Sequence, residues 1–200
     1  MRESPVITKI EAIHYSHTLE EVSRDYNTFN MVYKPGGKSK QSGTLVRIHT
    51  DQGLTGEYPD VTGPTLAEIK MLSSYLIGKN ALTRELIYND LKRGSRHWAM
   101  LGMGIVDICL WDIAGKFYGE PLFRLLGGDL QPLKAYASTL HGDENGGLST
   151  AGDFEDFAHK CLQMGYQAFK VHGWGLARDN INREIENVLN LGNKFEGKLD

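Results

Sequence analysis

The chain has 200 residues, of which 40% are hydrophobic and 24% are charged, and its formal net charge is −3. Positive charge is neither in excess nor clustered, so we expect no nucleic-acid partner and no membrane partner. No apolar run approaches the ~20 residues that cross a bilayer, and the N-terminus lacks an apolar signal core, which predicts a cytoplasmic location. Cys109 and Cys161 lack metal-binding spacing and are predicted to be buried free thiols.

The first part of the chain alternates between apolar and polar residues, which is typical of strands. Residues 6–15 and 44–50 are predicted to be strands, and a return strand is predicted to start at Thr55 after a turn, giving a meander. Residues 16–41, between the first two strands, are mostly polar. We expect them to form a long loop, which in a compact domain is often a functional lid.

The apolar residues that follow have a helical spacing. Helices are predicted over residues 64–77, 83–93 and 98–118, the last ending at Gly119, and a short helical piece follows. Strands followed by helices predict an α+β domain over residues 1–130.

Strands and helices then alternate. The predicted elements are a strand, a helix, a second strand, a second helix and the entry to a third strand, over residues 133–138, 153–164, 167–172, 178–191 and 197–200. This order requires a parallel sheet. These units would either complete a small sheet or begin a barrel of the TIM type, which takes ~250 residues. We predict a truncated barrel start over residues 131–200, in the front half of a longer protein.

Lys170 and His172 lie two residues apart on the second of these strands, so they share one face, while Phe169 and Val171 share the other. On a half-exposed strand, such a pair would be a solvated lysine and a hydrogen-bonded histidine. On a barrel strand, the same pair would point into the barrel mouth, where a lysine beside an imidazole can perform acid–base chemistry.

Three segments together resemble the mandelate racemase/muconate lactonizing enzyme group of the enolase superfamily. They are GMGIVDICLWDIAGK at residues 102–116, GEPL at 119–122 and LLGG at 125–128. The resemblance implies a capping domain, built from a strand meander and helices, over residues 1–130, and the first β/α units of a TIM-type barrel after it.

The resemblance also implies the chemistry. In that group, the second barrel strand ends in Lys-x-Lys, where the first lysine polarises a substrate carboxylate and the second moves the adjacent proton. Lys170 matches the first position, and His172 replaces the second lysine. The superfamily uses either a Lys or a His base together with Mg²⁺, so the replacement is compatible with proton abstraction, although the base could also come from a later strand.

Further candidates follow from the same resemblance. Ser138 stands where relatives place a substrate-contacting serine, although a structural serine is an equal alternative. His17, Arg24 and Tyr26 lie in the stretch that matches the substrate-closing cap loop, and each could instead be merely solvated.

The resemblance places the metal ligands, three carboxylates, at the ends of the third to fifth barrel strands, beyond Asp200. We therefore expect no metal ligand in this chain, Mg²⁺ as cofactor in the full-length protein, and an inactive 200-residue chain. The predicted activity is that of an acid-sugar dehydratase, a lyase that acts on a small hydroxy-carboxylate, in a homo-oligomer. The alternatives are a racemase or cycloisomerase of the same group, or an inert fragment or interaction module without a metal site.

Glu155 and His159, four residues apart on a predicted helix, could ligate a metal, but an exposed helix pair is the favoured interpretation. The sequence contains no P-loop, dinucleotide fingerprint or nucleophile elbow.

Overall fold

A computed structural model of the protein describes residues 3–25, 28–142, 146–174 and 180–198. The chain divides into two compact units, the first comprising Met1–Ser16 and Ser42–Gln131, and the second comprising His17–Gln41 and Pro132–Asp200. The strands are β1 (Ile7–Arg24), β2 (Met31–Thr50), β3 (Thr55–Tyr58), β4 (Ala137–Ser138) and β5 (Phe169–Lys170). The helices are α1 (Gly63–Leu76), α2 (Arg84–Gly94), α3 (Leu101–Tyr118), α4 (Leu122–Leu125), α5 (Ala151–Gln163) and α6 (Ile181–Phe195).

The first unit contains the predicted meander and helices. The sheet order is β1–β2–β3, and β2 and β3 are antiparallel, with Val46 opposite Tyr58. One hydrophobic core joins this sheet to α1, α2 and α3, and its fully buried members include Ile48, Ile69, Ile87 and Ile113. The capping-domain fold predicted from the sequence is confirmed.

The helix that carries the GMGIVDICLWDIAGK segment, α3, is bound to strand β3 by polar contacts. Asp112 Oδ2 accepts the backbone N–H of Glu57 at 3.1 Å. Lys116 Nζ donates to Asp112 at 2.7 Å and to the carbonyl of Thr55 at 2.7 Å. The polar residues of this segment therefore have a structural role, which is to fix the strand on the helix.

The stretch predicted to be a long loop, residues 16–41, is mostly strand, so that prediction is wrong. β1 runs to Arg24 and β2 begins at Met31, and the two are hydrogen-bonded neighbours. Only a few apolar residues of this excursion, such as Val22 and Val32, are buried. The strands are stabilised by pairing with each other rather than by an alternating apolar face, which explains why their periodicity is weak.

The second unit contains the predicted β-α-β-α order. β4 and β5 are parallel, and α5 and α6 pack against each other. Both strands are shorter than predicted. Of the expected third strand over residues 197–200, residues 197 and 198 form a turn, and residues 199 and 200 lie outside the described residues. A separate core contains Leu148, Phe154, Ala158, Trp174, Leu191 and Phe195. Along the chain, the last boundary between the units falls between residues 131 and 132, and residues 17–41 are grouped in the second unit. The domain division at residue 130 stays a prediction.

Both cysteines are free and buried, as the sequence predicts. Burial, followed by the negative charges of Asp112 and Glu57, raises the pKa of the Cys109 thiol to about 12. Within the described ranges, no helix has both the length and the apolar character needed to cross a membrane.

Candidate active site

Strands β4 and β5 bring two of the predicted site residues side by side. Ala137 pairs with Phe169, and Ser138 pairs with Lys170. The ladder is held by the N–H of Ala137 donating to Ala168 O at 2.9 Å and the N–H of Thr139 donating to Lys170 O at 3.0 Å. Ser138 and Lys170 are both exposed and lie at the carboxyl ends of the two strands, the edge at which parallel β/α units bind ligands.

The side chain of Lys170 is available to an anion. Its Nζ lies 6.0 Å from the centre of the Tyr136 ring, a weak cation–π contact. Phe169 and Val171, on either side of it in sequence, pack against the core of the second unit. The alternation predicted from the sequence is therefore observed at Lys170, and among the described residues no acidic side chain forms an ion pair with it.

His172 follows the strand and is half-buried. Its backbone N–H donates to Oγ1 of the buried Thr139 at 2.8 Å, which ties it to the end of β4. Burial, followed by the positive charges of Lys170 and His141, lowers the pKa of His172 below its ordinary value of 6.5. His172 is therefore a neutral imidazole at pH 7, the form that accepts a proton.

A second histidine, His141, meets His172 edge to face, with ring centroids 5.1 Å apart and an interplanar angle of 85°. The sequence interpretation missed this residue, because it belongs to no motif and lies three positions beyond the end of β4. The available signal was its place: segments that follow parallel strands converge on the same edge of the sheet.

A buried carboxylate, Asp25, lies on the segment after β1. It accepts hydrogen bonds from the backbone N–H of Phe29 at 3.0 Å, and from the backbone N–H and side-chain amide of Asn30 at 3.2 and 2.8 Å. Burial raises the pKa of Asp25, but the hydrogen bonds from Asn30 and Phe29, with the charge of His141, outweigh it, and the net pKa is lowered. Asp25 is thus a fixed negative charge at neutral pH.

Helix α6 anchors the segment after His172. Glu184 Oε1 accepts the N–H of Trp174 at 2.6 Å, and the guanidinium of Arg183 stacks on the Trp174 ring at 3.9 Å. The Glu184 carboxylate also occupies the space that a Cβ at Gly173 would need. Gly173 and Trp174, the two residues that follow His172, are therefore held against α6.

Of the remaining sequence candidates, two lie on β1 and one lies outside the described residues. His17 is exposed on β1. Arg24 is exposed and donates to Gln41 at 3.1 Å and to the carbonyl of Phe29 at 3.3 Å. Tyr26 lies outside the described residues. The structure brings Ser138, Lys170 and His172 together.

The alternative metal pair has ordinary helix contacts. Glu155 forms an ion pair with Lys194 at 3.1 Å and accepts from Asn190 at 3.0 Å, while the His159 ring packs on Phe195 at 4.7 Å. In the described part of the chain, no group of three or more His, Cys, Asp or Glu side chains is arranged to hold a metal ion. The described residues therefore do not form a magnesium site.

A cavity of about 260 Å³ lies at the amino-terminal end of the two strands. It is lined by Lys134, Ala135, Met164, Gly165, Tyr166, Gln167 and Ala168. Its described lining contains no imidazole or carboxylate, unlike the carboxyl ends of the strands, where His172 lies.

Comparison with known proteins places these features in a family context. The model of the mandelate racemase/muconate lactonizing enzyme N-terminal domain matches residues 21–127. A D-mannonate dehydratase of Caulobacter vibrioides is 35% identical over 63% of this chain and 32% of its own length. A D-galactonate dehydratase of Pectobacterium atrosepticum is 32% identical over 78% of this chain and 45% of its own. A D-galactarolactone cycloisomerase of Agrobacterium fabrum is 34% identical over 70% and 39%.

Among solved structures, a D-glucarate dehydratase from Agrobacterium tumefaciens, complexed with magnesium, has a TM-score of 0.79 at 25% identity, and the match covers 97% of this chain and 52% of that one. The chain thus spans 32–45% of the length of these three curated relatives and about half of this solved structure.

Proposed function

Because the chain belongs to the mandelate racemase/muconate lactonizing enzyme group of the enolase superfamily, we propose that the complete protein removes the proton next to the carboxylate of a small hydroxy-acid, as an acid-sugar dehydratase. The observation that carries this proposal is the exposed Lys170, opposite Ser138 and two residues before the half-buried His172, at the carboxyl ends of two parallel strands.

Lys170 binds and polarises the substrate carboxylate. An ammonium group beside a carboxylate withdraws electron density from it and stabilises the charge that develops when the adjacent C–H bond breaks. Ser138 can donate its hydroxyl hydrogen to the same carboxylate or to a neighbouring hydroxyl group of the substrate.

His172 accepts the proton from carbon 2, since its lowered pKa keeps it neutral at pH 7. In a dehydration, the C–H bond at carbon 2 breaks and its electron pair forms a double bond to carbon 3. The hydroxyl of carbon 3 leaves with a proton as water. The enol that remains converts to the 2-oxo-3-deoxy acid. His172 can return its proton to the leaving hydroxyl, so the step balances without an external oxidant or reductant.

Acid sugars are the proposed substrate class because two of the relatives are a D-mannonate dehydratase and a D-galactonate dehydratase. The excursion over residues 17–41 offers polar side chains such as Arg24 and Gln41, which suit a polyhydroxy chain. His17, Arg24 and Tyr26 remain proposed contacts from this excursion.

The described residues lack a set of three or more side chains that could hold magnesium. We propose that further residues of the complete protein supply the ligands, that further β/α units complete a barrel, and that the 200-residue chain alone is inactive. A homo-oligomer in the cytoplasm is proposed for the complete protein.

A cycloisomerase is the second candidate, favoured by the 34% identity to the D-galactarolactone cycloisomerase. Both activities begin with abstraction of the proton next to the carboxylate, so they differ in product and not in the use of Lys170 and His172.

The test is the exchange of the C2 proton of aldonic and aldaric acids in D₂O, followed by NMR with the complete protein in magnesium buffer. We expect exchange together with a 2-oxo-3-deoxy product, and loss of both in Lys170→Met and His172→Asn. Exchange with a cyclic or epimerised product would select the second candidate. Absence of exchange across the panel, in protein that is folded and loaded with metal, would contradict the proposal.

A further inference from the structure

His141 is held in place by backbone pairing on both sides. It forms a parallel bridge with Val32 of β2, and the next residue, Gly142, forms one with Trp174. The N–H of Gly142 donates to the carbonyl of Gly173 at 3.1 Å. His141 is therefore as firmly placed as a strand residue, although it lies outside β4.

The space around Gly142 strengthens this placement. A Cβ at Gly142 would overlap the indole ring of Trp174, so the indole lies against this backbone only because residue 142 is glycine. The packing of Trp174 on Gly142 joins the segments that carry His141 and His172.

The two imidazoles meet in a defined geometry. Their rings are nearly perpendicular, with centroids 5.1 Å apart, and the His172 backbone is fixed by Thr139 at 2.8 Å. At this separation, a positive charge on one ring opposes a positive charge on the other. Two such groups titrate as a pair, in which the second proton binds less readily than the first.

The negative charge of Asp25 acts on His141. Asp25 is buried, is held by Phe29 and Asn30, and interacts electrostatically with His141. The charged groups around the pair are then Asp25 beside His141, Lys170 beside His172, and Glu184 of α6, whose carboxylate is bound to the Trp174 N–H.

We propose that His141 is a positioning residue for His172: its ring, edge-on to His172 at 5.1 Å between centroids, makes the two imidazoles a coupled pair that holds one proton more readily than two. In such a pair, a proton on one ring disfavours a second proton on the other, so the readiness of His172 to accept the substrate proton depends on His141. The inference rests on the proposed function only for its catalytic meaning, since the coupling itself is a property of the site.

The experiment is an NMR titration of the complete protein labelled with ¹³C at the histidine Cε1 position. It compares the parent with His141→Asn and His141→Phe. Both variants remove the charge, but Phe retains an aromatic edge. We expect the titration midpoint of His172 to rise by roughly half a pH unit or more in both variants. The control, His159→Asn, removes a histidine that packs on Phe195 and should leave the midpoint unchanged.

An unchanged midpoint in both variants, with native far-UV circular dichroism, would overturn the inference. A rise in His141→Asn alone would also overturn it, because it would show that ring packing and not charge is responsible. The pH profile of C2-proton exchange is the second measurement, and its acidic limb should move upward with the His172 midpoint. If the parent shows no exchange but the midpoint still rises, the coupling stands and the proposed function fails. If exchange occurs but the midpoint does not move, the proposed function stands and the coupling fails.

Discussion

Ser138 and Lys170 face each other as direct register partners of the parallel β4–β5 pair, and both side chains are exposed. In the proposed function, the hydroxyl and the ammonium group bind the same substrate at the strand ends. The two side chains lie side by side but differ in charge, so their replacement should affect activity to different extents.

Replacing Lys170 with Met should lower kcat/KM for the acid substrate by roughly 100-fold, since a donor that stabilises developing negative charge is lost. Ser138→Ala should cost less, because a neutral hydrogen bond contributes less than a charged one. Lys160→Met, at an exposed position on α5, is the matched control. Steady-state kinetics decide the matter, and an equal loss in Lys160→Met would remove Lys170 from the mechanism.

His172 should make the stability of the protein depend on pH. Burial, with the charges of Lys170 and His141, lowers its pKa in the folded state below 6.5. Between that lowered value and about 6.5, the unfolded chain binds more protons than the folded one, so the free energy of unfolding rises with pH in this window. The contribution of His172 is therefore present above about pH 6.5 and is lost as the pH falls through the folded pKa.

His172→Asn should remove this part of the slope, as measured by urea unfolding of the parent and variant at several pH values. His159→Asn is the control and should retain it. If His172→Asn leaves the parent's slope unchanged, the imidazole is not destabilised by its surroundings when charged.

The predictability of the fold differs between its elements for physical reasons. Helix α3 is recognisable because its apolar positions and the left-handed Gly119 at its end are local features. The polar contacts of this helix, from Asp112 to Glu57 and from Lys116 to Thr55, join segments more than fifty residues apart. A local sequence pattern therefore cannot predict these contacts.

Residues 16–41 illustrate the opposite case. Their strands form by mutual hydrogen bonding, with exposed ion pairs such as Lys38–Glu20 at 3.1 Å in place of an apolar stripe. Polar composition therefore predicted a loop. In the site, the same distinction applies. The exposure of Lys170 follows strand alternation, whereas His141 is placed by the pairing of its own backbone with Val32 and of Gly142 with Trp174, which no local sequence pattern indicates.

The packing of β3 on α3 depends on a glycine. A Cβ at Gly56 would overlap the backbone carbonyl of Cys109, and two backbones cannot move apart as easily as a flexible side chain can. Gly56→Ala should therefore destabilise the protein by about 1–3 kcal/mol, the usual cost of overpacking. Gly104 is the matched control, because it lies in α3 with open space around its Cβ position. Gly104→Ala should be neutral or stabilising by about 1 kcal/mol. Thermal unfolding of both variants tests this pair, and a neutral Gly56→Ala would show that β3 does not need this close approach.

The last prediction concerns Glu184, which fixes the backbone after His172 from a different helix. Its carboxylate accepts the Trp174 N–H at 2.6 Å, and the loss of this bond would leave a buried donor unpaired and the His172 segment free to shift. Glu184→Ala should therefore lower kcat more than it raises KM, because substrate binding by Lys170 would remain while the proton acceptor is misplaced. Gly173→Ala should act in the same direction, since a methyl group there would displace the same carboxylate. Glu186→Ala, at an exposed position of the same helix, should have no effect. A Glu184→Ala variant with parent kcat would show that the course of the backbone after His172 does not depend on α6.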